Sequence, residues 1–155
     1  MREAIGNTFI VNLLLVFLGV MSIIFIGSIS YSKAFKVKNR IIYTIEKYGG
    51  WNETGETNPA QDEIDASLKQ IGYPLTVRTI NCDRYKKAGG KAIYGINPAT
   101  TTYRYCVYEY NNEKGHYYGV TAFMHFDIPL IGGLLEFPVY GETKALYDVK
   151  VNYNN

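Results

Sequence analysis

The stretch FIVNLLLVFLGVMSIIFIGSI, residues 9–29, decides the fold. It holds no charged residue and one strongly polar residue, Asn12. As a helix it rises about 31 Å, which matches the hydrocarbon thickness of a bilayer. The alternative is a cleaved secretory signal, but such a signal has a shorter apolar core, about 7–15 residues, that ends at small residues. The sequence therefore predicts an N-terminal stub at residues 1–8 and an uncleaved transmembrane helix at residues 9–30.

Beyond the apolar stretch the pattern stays helical but becomes one-sided. No proline occurs before Pro59, and Gly49-Gly50 supplies a stop signal. We therefore expect one helix of about 40 residues, in which residues 31–48 form an amphipathic extension that packs on a sheet. Its apolar residues recur every three or four positions: Ala34, Val37, Ile41, Ile45 and Tyr48.

Polar and small residues of the predicted anchor are candidate contacts to neighbouring helices. Asn12 either bonds to its own helix backbone or makes a polar contact to another transmembrane helix, which contributes about 0.5–2 kcal/mol. Ser28 and Ser32 form a small-xxx-small pair, a pattern found where transmembrane helices pack closely. We expect the anchor to contact membrane lipid and to support homo- or hetero-oligomers.

The charges that flank the anchor favour one orientation, and other features favour the opposite one. The short N-terminal flank holds Arg2 and Glu3, whereas basic residues follow the anchor. By the positive-inside rule the C-terminal domain is cytoplasmic. The shortness of the N-terminal flank and the cysteine content favour an extracytoplasmic domain. The basic residues in question are Lys33, Lys36, Lys38 and Arg40.

The chain has two cysteines, Cys82 and Cys106. In an oxidising compartment they would pair, and in a reducing one they would be small buried hydrophobes. Both fall in strand-like runs that can be neighbours in a sheet, so we favour a disulfide.

Residues 49–155 predict a small α+β domain. Asn58 caps and Pro59 opens a short helix at residues 59–71. The apolar period then changes from that of a helix to that of a strand, which predicts an antiparallel sheet within residues 75–150. The strand candidates are residues 75–82, 101–110, 118–128 and 136–147, with a hairpin turn at 111–115. The predicted fold class is α+β: a long transmembrane helix that continues as an amphipathic helix packed on an antiparallel sheet.

An apolar connection, DIPLIGGLL at residues 127–135, separates the last two strand candidates. Surface loops are usually polar, so this composition is unusual. Either the connection folds over the core, or it docks on a neighbouring subunit or the membrane surface. The candidate contact residues are Ile128, Pro129, Leu130 and Ile131.

Side chains that carry chemistry are few. His125 and Asp127 lie two apart in one strand candidate, a spacing that suits a hydrogen-bonded core histidine as well as a catalytic pair. A zinc set of Cys82, Cys106, His116 and His125 lacks the tight spacing of zinc-finger ligands. The formal net charge of +2 gives no basis for nucleic-acid binding. We expect no catalytic residue, no metal and no cofactor.

Two stretches resemble a known family. Residues 4–8, AIGNT, run directly into the anchor, and residues 120–135, VTAFMHFDIPLIGGLL, lead to a strand that ends at Lys144-Ala145-Leu146. Together with the anchor and its amphipathic extension, these features resemble TadE-like proteins, which are small pilin-related membrane proteins of tight-adherence and type II/IV-related secretion machines. The resemblance covers about half of the chain.

The resemblance implies a pilin-like fold, an extracytoplasmic domain and partners among pilin-like or secretion-system subunits. Pilin precursors are cut after a glycine, and many carry a glutamate five residues later. Gly6 is the candidate processing site, but Val11 occupies that fifth position. The resemblance therefore favours a non-catalytic accessory or minor component, similar to a minor pilin or pseudopilin. The alternative is a cytoplasmic binding or sensor domain tethered with its N-terminus outside.

Overall fold

The fold is α+β, and the part of the chain that the structure describes contains two helices and a four-stranded sheet. The computed structural model describes residues 2–51, 58–73, 81–94, 105–112, 115–128 and 133–146, without the side chains of residues 2–7, 124–128 and 133–136. The helices are α1 (Arg2–Lys47) and α2 (Pro59–Ile71), and a 3-10 turn spans Cys82–Tyr85. The strands are β1 (Lys91–Tyr94), β2 (Tyr105–Asn112), β3 (Gly115–Ile128) and β4 (Gly133–Glu142).

Helix α1 runs without a break from Arg2 to Lys47, so the predicted continuity is confirmed. Its end follows the predicted stop signal. Gly49 adopts a left-handed φ of 69°, and the Gly50 N–H donates to the Ile45 carbonyl at 2.9 Å. This bond satisfies a carbonyl group that the end of a helix would otherwise leave without a partner.

The second half of α1 buries an apolar stripe against the sheet. Four of the five stripe residues predicted from the sequence are at most 1% exposed: Ala34, Val37, Ile41 and Ile45. The prediction for Tyr48 is wrong, because this residue is 37% exposed. Tyr48 follows the last helical residue, where helical periodicity no longer applies, and its hydroxyl donates to the Glu63 carboxylate at 3.0 Å.

Helix α2 has the bounds that the sequence predicts. The Asn58 side chain accepts hydrogen bonds from the backbone N–H groups of Ala60 and Gln61 at 3.1 and 3.2 Å, which caps the first turn. Gly72 closes the helix in the left-handed conformation, with a φ of 65°. Ile64 and Leu68 are fully buried, so α2 packs beside α1 over the same core.

The sheet is an antiparallel meander in the order β1-β2-β3-β4. In β2 and β3 the register pairs Tyr105 with Ala122 and Asn112 with Gly115. In β3 and β4 it pairs Phe123 with Pro138 and Ile128 with Gly133. Pro138 lies in the edge strand β4, the location that its missing N–H favours.

Several predictions about the strands need correction. Cys82 lies in the 3-10 turn and not at the end of a strand, and residues 74–80 of the predicted first strand lie outside the described residues. Strand β1 was not predicted. The predicted apolar loop is wrong at both ends, because Asp127 and Ile128 belong to β3 and residues 133–135 belong to β4. The intervening residues 129–132, with Pro129, Leu130 and Ile131, lie outside the described residues.

Both faces of the sheet are buried in its central part, at β2 and the described first half of β3. Tyr105, Val107, Tyr118, Val120 and Ala122 form the face that packs on the helices. On the opposite face, which we call the outer face, lie Cys106, Tyr108, Tyr110 and Phe123, together with Cys82 from the 3-10 turn. Strand β2 is consequently buried on both sides, which is unusual for an antiparallel sheet.

Candidate functional site

The first half of α1 is apolar and uncovered. Its large apolar residues between Phe9 and Ile29 are 40% to 68% exposed. The helix is long and apolar enough to cross a bilayer. Ordinary soluble proteins do not expose a continuous apolar surface of this length, so this segment is the main candidate interaction surface of the described chain.

Aromatic and basic side chains lie where the exposed segment meets the domain. Tyr31 and Phe35 are 54% and 42% exposed, and their ring centroids are 6.3 Å apart. The Lys38 ammonium lies 4.1 Å from the centre of the Phe35 ring. Aromatic rings and snorkelling lysines are typical of the interface between membrane and water.

The predicted helix contacts do not share one face of α1. Asn12, Ser28 and Ser32 are all exposed. At 100° per residue, Asn12 lies about 160° around the helix from Ser28 and only about 20° from the buried Ile41. Ser28 and Ser32 therefore face away from the domain, whereas Asn12 lies on the domain side. Gly6 lies within α1 near its start.

The disulfide predicted from the sequence is present. Cys82 and Cys106 are bonded, with their Cα atoms 5.8 Å apart, and both residues are buried. The bond fixes the 3-10 turn to β2 and covers the outer face of the sheet. Both sulfur atoms are bonded to each other, so they are not available as thiolate ligands for the alternative zinc set.

Tyrosines fill the outer face around the disulfide. The Tyr108 hydroxyl donates to the Cys82 carbonyl at 3.0 Å, and burial raises the pKa of Tyr108 to about 12. The Tyr110 and Tyr117 rings stack with their centroids 4.9 Å apart. The Lys87 backbone N–H donates to the Tyr110 hydroxyl at 2.9 Å. These tyrosines therefore form a second buried cluster with the disulfide and Phe123.

An ion pair closes the edge of this tyrosine cluster. The Lys87 ammonium lies 2.6 Å from the Glu142 carboxylate, which also accepts a 2.8 Å hydrogen bond from the Tyr140 hydroxyl. The bond from Lys87 lowers the pKa of Glu142, and the same bond raises the pKa of Lys87. Burial raises the pKa of Tyr140, so its hydroxyl remains a donor. These groups stabilise one another within the fold.

A second polar cluster joins the two helices. Glu63 of α2 pairs with Lys47 at 2.5 Å and with Arg40 at 3.4 Å, and it accepts the hydrogen bond from Tyr48. The bond from Lys47 lowers the pKa of Glu63 most, followed by the bond from Tyr48. Arg40 also donates to the Ser67 hydroxyl at 3.2 Å. The cluster therefore fixes α2 against the second half of α1.

Tyr73 makes an interaction that sequence reasoning missed. Its buried hydroxyl donates to the Phe123 carbonyl at 3.0 Å and accepts from the Phe123 N–H at 2.8 Å. Both backbone groups of this strand residue are thus satisfied by one side chain from the segment after α2. The contact joins residues fifty positions apart in the chain, so no local sequence pattern predicts it.

His116 is the histidine whose side chain lies within the described residues. The His116 ring contacts the Tyr118 ring edge-on at 5.5 Å, and the backbone of His116 pairs with that of Leu146. The side chains of His125 and Asp127 lie outside the described residues. Among the residues that the structure describes, no three His, Cys, Asp or Glu side chains come together as a metal site.

Comparison with known proteins finds no family model, no curated protein and no solved structure that matches this chain. The resemblance to TadE-like proteins rests on the two stretches of sequence quoted above.

Proposed function

We propose that the protein is a non-catalytic, membrane-anchored component of a tight-adherence or type II/IV-related secretion or pilus assembly system. It acts by association with other subunits, in the manner of a minor pilin or pseudopilin. One observation carries the proposal: a single helix is uncovered and apolar over one half and backs a sheet over the other. The uncovered half suits lipid and neighbouring helices, because only these surroundings remove its apolar surface from water.

The disulfide supports an extracytoplasmic domain. Disulfides persist in oxidising compartments and are rare where cellular thiols stay reduced. The basic flank that argues for the opposite orientation has a second explanation in the fold. Lys38 is nearly buried against Phe35, and Arg40 bonds to Glu63 and Ser67, so both residues stabilise the domain.

The proposed contact to other subunits lies on the Ser28/Ser32 face of α1. Small side chains allow two helices to approach closely within a membrane. This face is turned away from the domain, so a neighbouring anchor can reach it without displacing the sheet. Asn12 lies on the opposite side and about 24 Å along the helix from Ser28, so it would contact a different neighbour.

Cysteine cross-linking in native membranes tests the association. We expect Ser28→Cys and Ser32→Cys to give adducts with a second pilin-like subunit, identified by mass spectrometry. The matched control is Ile23→Cys, which lies on the domain side of the same helix. Equal cross-linking at all three positions, or none at any of them, would contradict the proposed contact face.

Labelling of intact cells tests the orientation. Lys144 is exposed, and we expect a Lys144→Cys variant to react with a membrane-impermeant maleimide before lysis. Reaction only after lysis, together with reduced Cys82 and Cys106, would favour the alternative, a cytoplasmic binding or sensor domain.

A further inference from the structure

We propose that the β3–β4 hairpin makes a second membrane contact, in which the strand ends at Ile128 and Gly133 lie in the lipid interface of the leaflet beside α1. The occupant of this surface is the bilayer that holds the anchor, and not a second protein. The proposal rests on the membrane insertion of α1 given above. It adds a part of the domain that touches lipid directly.

The direction of the hairpin follows from three contacts. The Lys144 N–H donates to the Glu46 carboxylate at 2.8 Å. Three residues earlier in the chain, Gly141 packs against Lys38 and Ile42, and a methyl group at Gly141 would lie 2.7 Å from the Lys38 Cδ. Strand β4 therefore runs in the same direction as α1. The strand end at Gly133 therefore points toward the N-terminal, apolar half of α1.

The length of the hairpin carries it past the end of the apolar segment. Phe123 pairs with Pro138, three residues before Gly141, so it lies about 10 Å along the strand from the level of Lys38 and Ile42. Measured along α1, that advance reaches about the level of Lys33. From Phe123 to Ile128 the strand advances about 16 Å. Ile29, where the apolar segment ends, lies only about 6 Å from Lys33 along the helix axis. The strand passes that level at any inclination to α1 below about 65°.

The exposed fractions of the apolar residues in α1 agree with this position of the strand ends. Ile23 and Ile26 are 40% and 43% exposed, whereas the other large apolar residues between Phe9 and Ile29 are 50% to 68% exposed. Helical geometry places Ile23 directly in line with the buried Ile41, and Ile26 within about 60° of it. The partly shielded face is thus the one beneath the sheet. Ile23 lies about 15 Å from Lys33 along the helix axis, close to the advance of about 16 Å from Phe123 to Ile128 in β3.

The composition of the hairpin suits a lipid interface. Residues 128–135 read IPLIGGLL and carry no charge, and Phe137, two positions further along β4, is 47% exposed. Asp127 and Glu136 border the apolar run, which limits its depth. The exposed Lys33 and Lys36 lie at the level where anionic headgroups bind cations. Six residues from Ile29 to Ile23 correspond to about 9 Å, within the depth of interfacial elements.

Depth-dependent fluorescence quenching tests the contact. The full chain is placed, one copy per nanodisc, in lipids brominated near the headgroup end of the acyl chains. The probe is a Leu134→Trp variant, in β4 near the turn end. The native Trp51 is the only tryptophan, is buried and lies beyond the far end of α1, so it supplies an unquenched baseline. Phe25→Trp marks the lipid, and Tyr43→Trp marks solvent on the same helix.

We expect Leu134→Trp to lose at least half as much emission as Phe25→Trp, and Phe137→Trp to lose less than Leu134→Trp. The Tyr43→Trp variant should match the wild type. Quenching of Leu134→Trp no greater than that of Tyr43→Trp, with Phe25→Trp quenched, would overturn the hairpin contact and leave the anchor intact. A blue-shifted but unquenched Leu134→Trp would overturn it in favour of a protein partner. An unquenched Phe25→Trp would overturn the membrane anchor, and this proposal with it.

Discussion

The two halves of α1 share one helical backbone and differ in what surrounds them. In the first half, Leu15 and Phe25 are 60% and 68% exposed. In the second half, Ile41 and Ile45 are completely buried against the sheet. The same residue classes and the same secondary structure therefore serve two kinds of surroundings. The two halves differ in how their apolar residues are arranged. The first half is apolar on all sides, so its whole surface is stabilised by removal from water, whereas the second half has one apolar stripe and buries only that face.

Charge substitutions in the two halves give the largest expected effects. Ile41→Asp places a carboxylate in the core, and we expect it to destabilise the domain by more than about 4 kcal/mol while leaving insertion intact. Leu15→Asp should weaken membrane insertion by about 3 kcal/mol and leave the unfolding of the domain unchanged. Denaturant unfolding and a membrane-insertion assay measure the two quantities. If either variant changed both quantities equally, the division of α1 would be wrong.

Removal of the disulfide should destabilise the domain without affecting the first half of α1. A Cys82→Ala, Cys106→Ala variant releases a loop of 24 residues and should destabilise the domain by roughly 3 kcal/mol. We expect the outer face to loosen first, because the 3-10 turn is joined to β2 there. Amide exchange would show faster opening around Tyr108, with unchanged protection in the first half of α1. Unchanged stability on reduction of the wild type would contradict the role assigned to the bond.

A substitution at Tyr73 measures how much its hydroxyl contributes to the stability of the domain. Tyr73→Phe leaves the Phe123 N–H and carbonyl without their partner, and we expect a loss of about 2 kcal/mol in the free energy of unfolding. Tyr43→Phe is the matched control, because Tyr43 is 57% exposed, and its loss should stay below about 0.5 kcal/mol. Equal losses in the two variants would show that the Tyr73 hydroxyl has no special role.

Gly141 is closely packed, whereas Gly19 has open space around it, so alanine substitutions at the two positions should differ in their effect on stability. A methyl group at Gly141 would lie 2.7 Å from Lys38 and 2.9 Å from Ile42, so Gly141→Ala should destabilise the domain by about 1 kcal/mol. A methyl group at Gly19, in the first half of α1, would meet nothing within 4 Å. Gly19→Ala should therefore leave domain stability unchanged. Thermal unfolding of both variants in the same nanodiscs measures the difference.

The smallest change in stability is expected for the ion pairs that Glu63 makes with Arg40 and Lys47 in the second half of α1. The pKa of Glu63 is lowered, so its contribution is present above the usual carboxyl pKa and is lost as the pH falls through the lowered value. Glu63→Gln should lower Tm by about 1–2 °C at neutral pH, because exposed pairs contribute little. The difference from wild type should shrink in acid and in high salt. A difference that grew on acidification would contradict the assigned direction of the pKa shift.

Local signals explain the parts of the fold that the sequence predicts. Asn58 and Gly72 mark the ends of α2, and Gly49-Gly50 marks the end of α1, because each residue supplies a cap that a helix end requires. The disulfide prediction is confirmed, although Cys82 lies in a 3-10 turn. The prediction of a disulfide depends on the distance and orientation of the two cysteines and not on whether Cys82 lies in a strand or a turn.

Other features depend on contacts that no local pattern encodes. The interaction of Tyr73 with Phe123 and the pair of Lys87 with Glu142 join distant parts of the chain. One missed signal was available in β2. Tyr105, Cys106, Val107 and Tyr108 are consecutive large or apolar residues, a run that indicates burial on both faces of a strand. Strand β1 is too short, at four residues, to show a period.

Helix α1 is proposed to connect lipid and sheet as one straight rod, and a distance between its two halves can be measured. Val16 and Tyr43 are both exposed, and the native cysteines are bonded to each other, so cysteines introduced at these two positions can carry spin labels. In nanodiscs, pulsed electron paramagnetic resonance should give one narrow distribution near 40 Å, since 27 residues of helix rise about that far. A broad distribution centred well below that distance would mean that the helix breaks between its halves and would contradict the account.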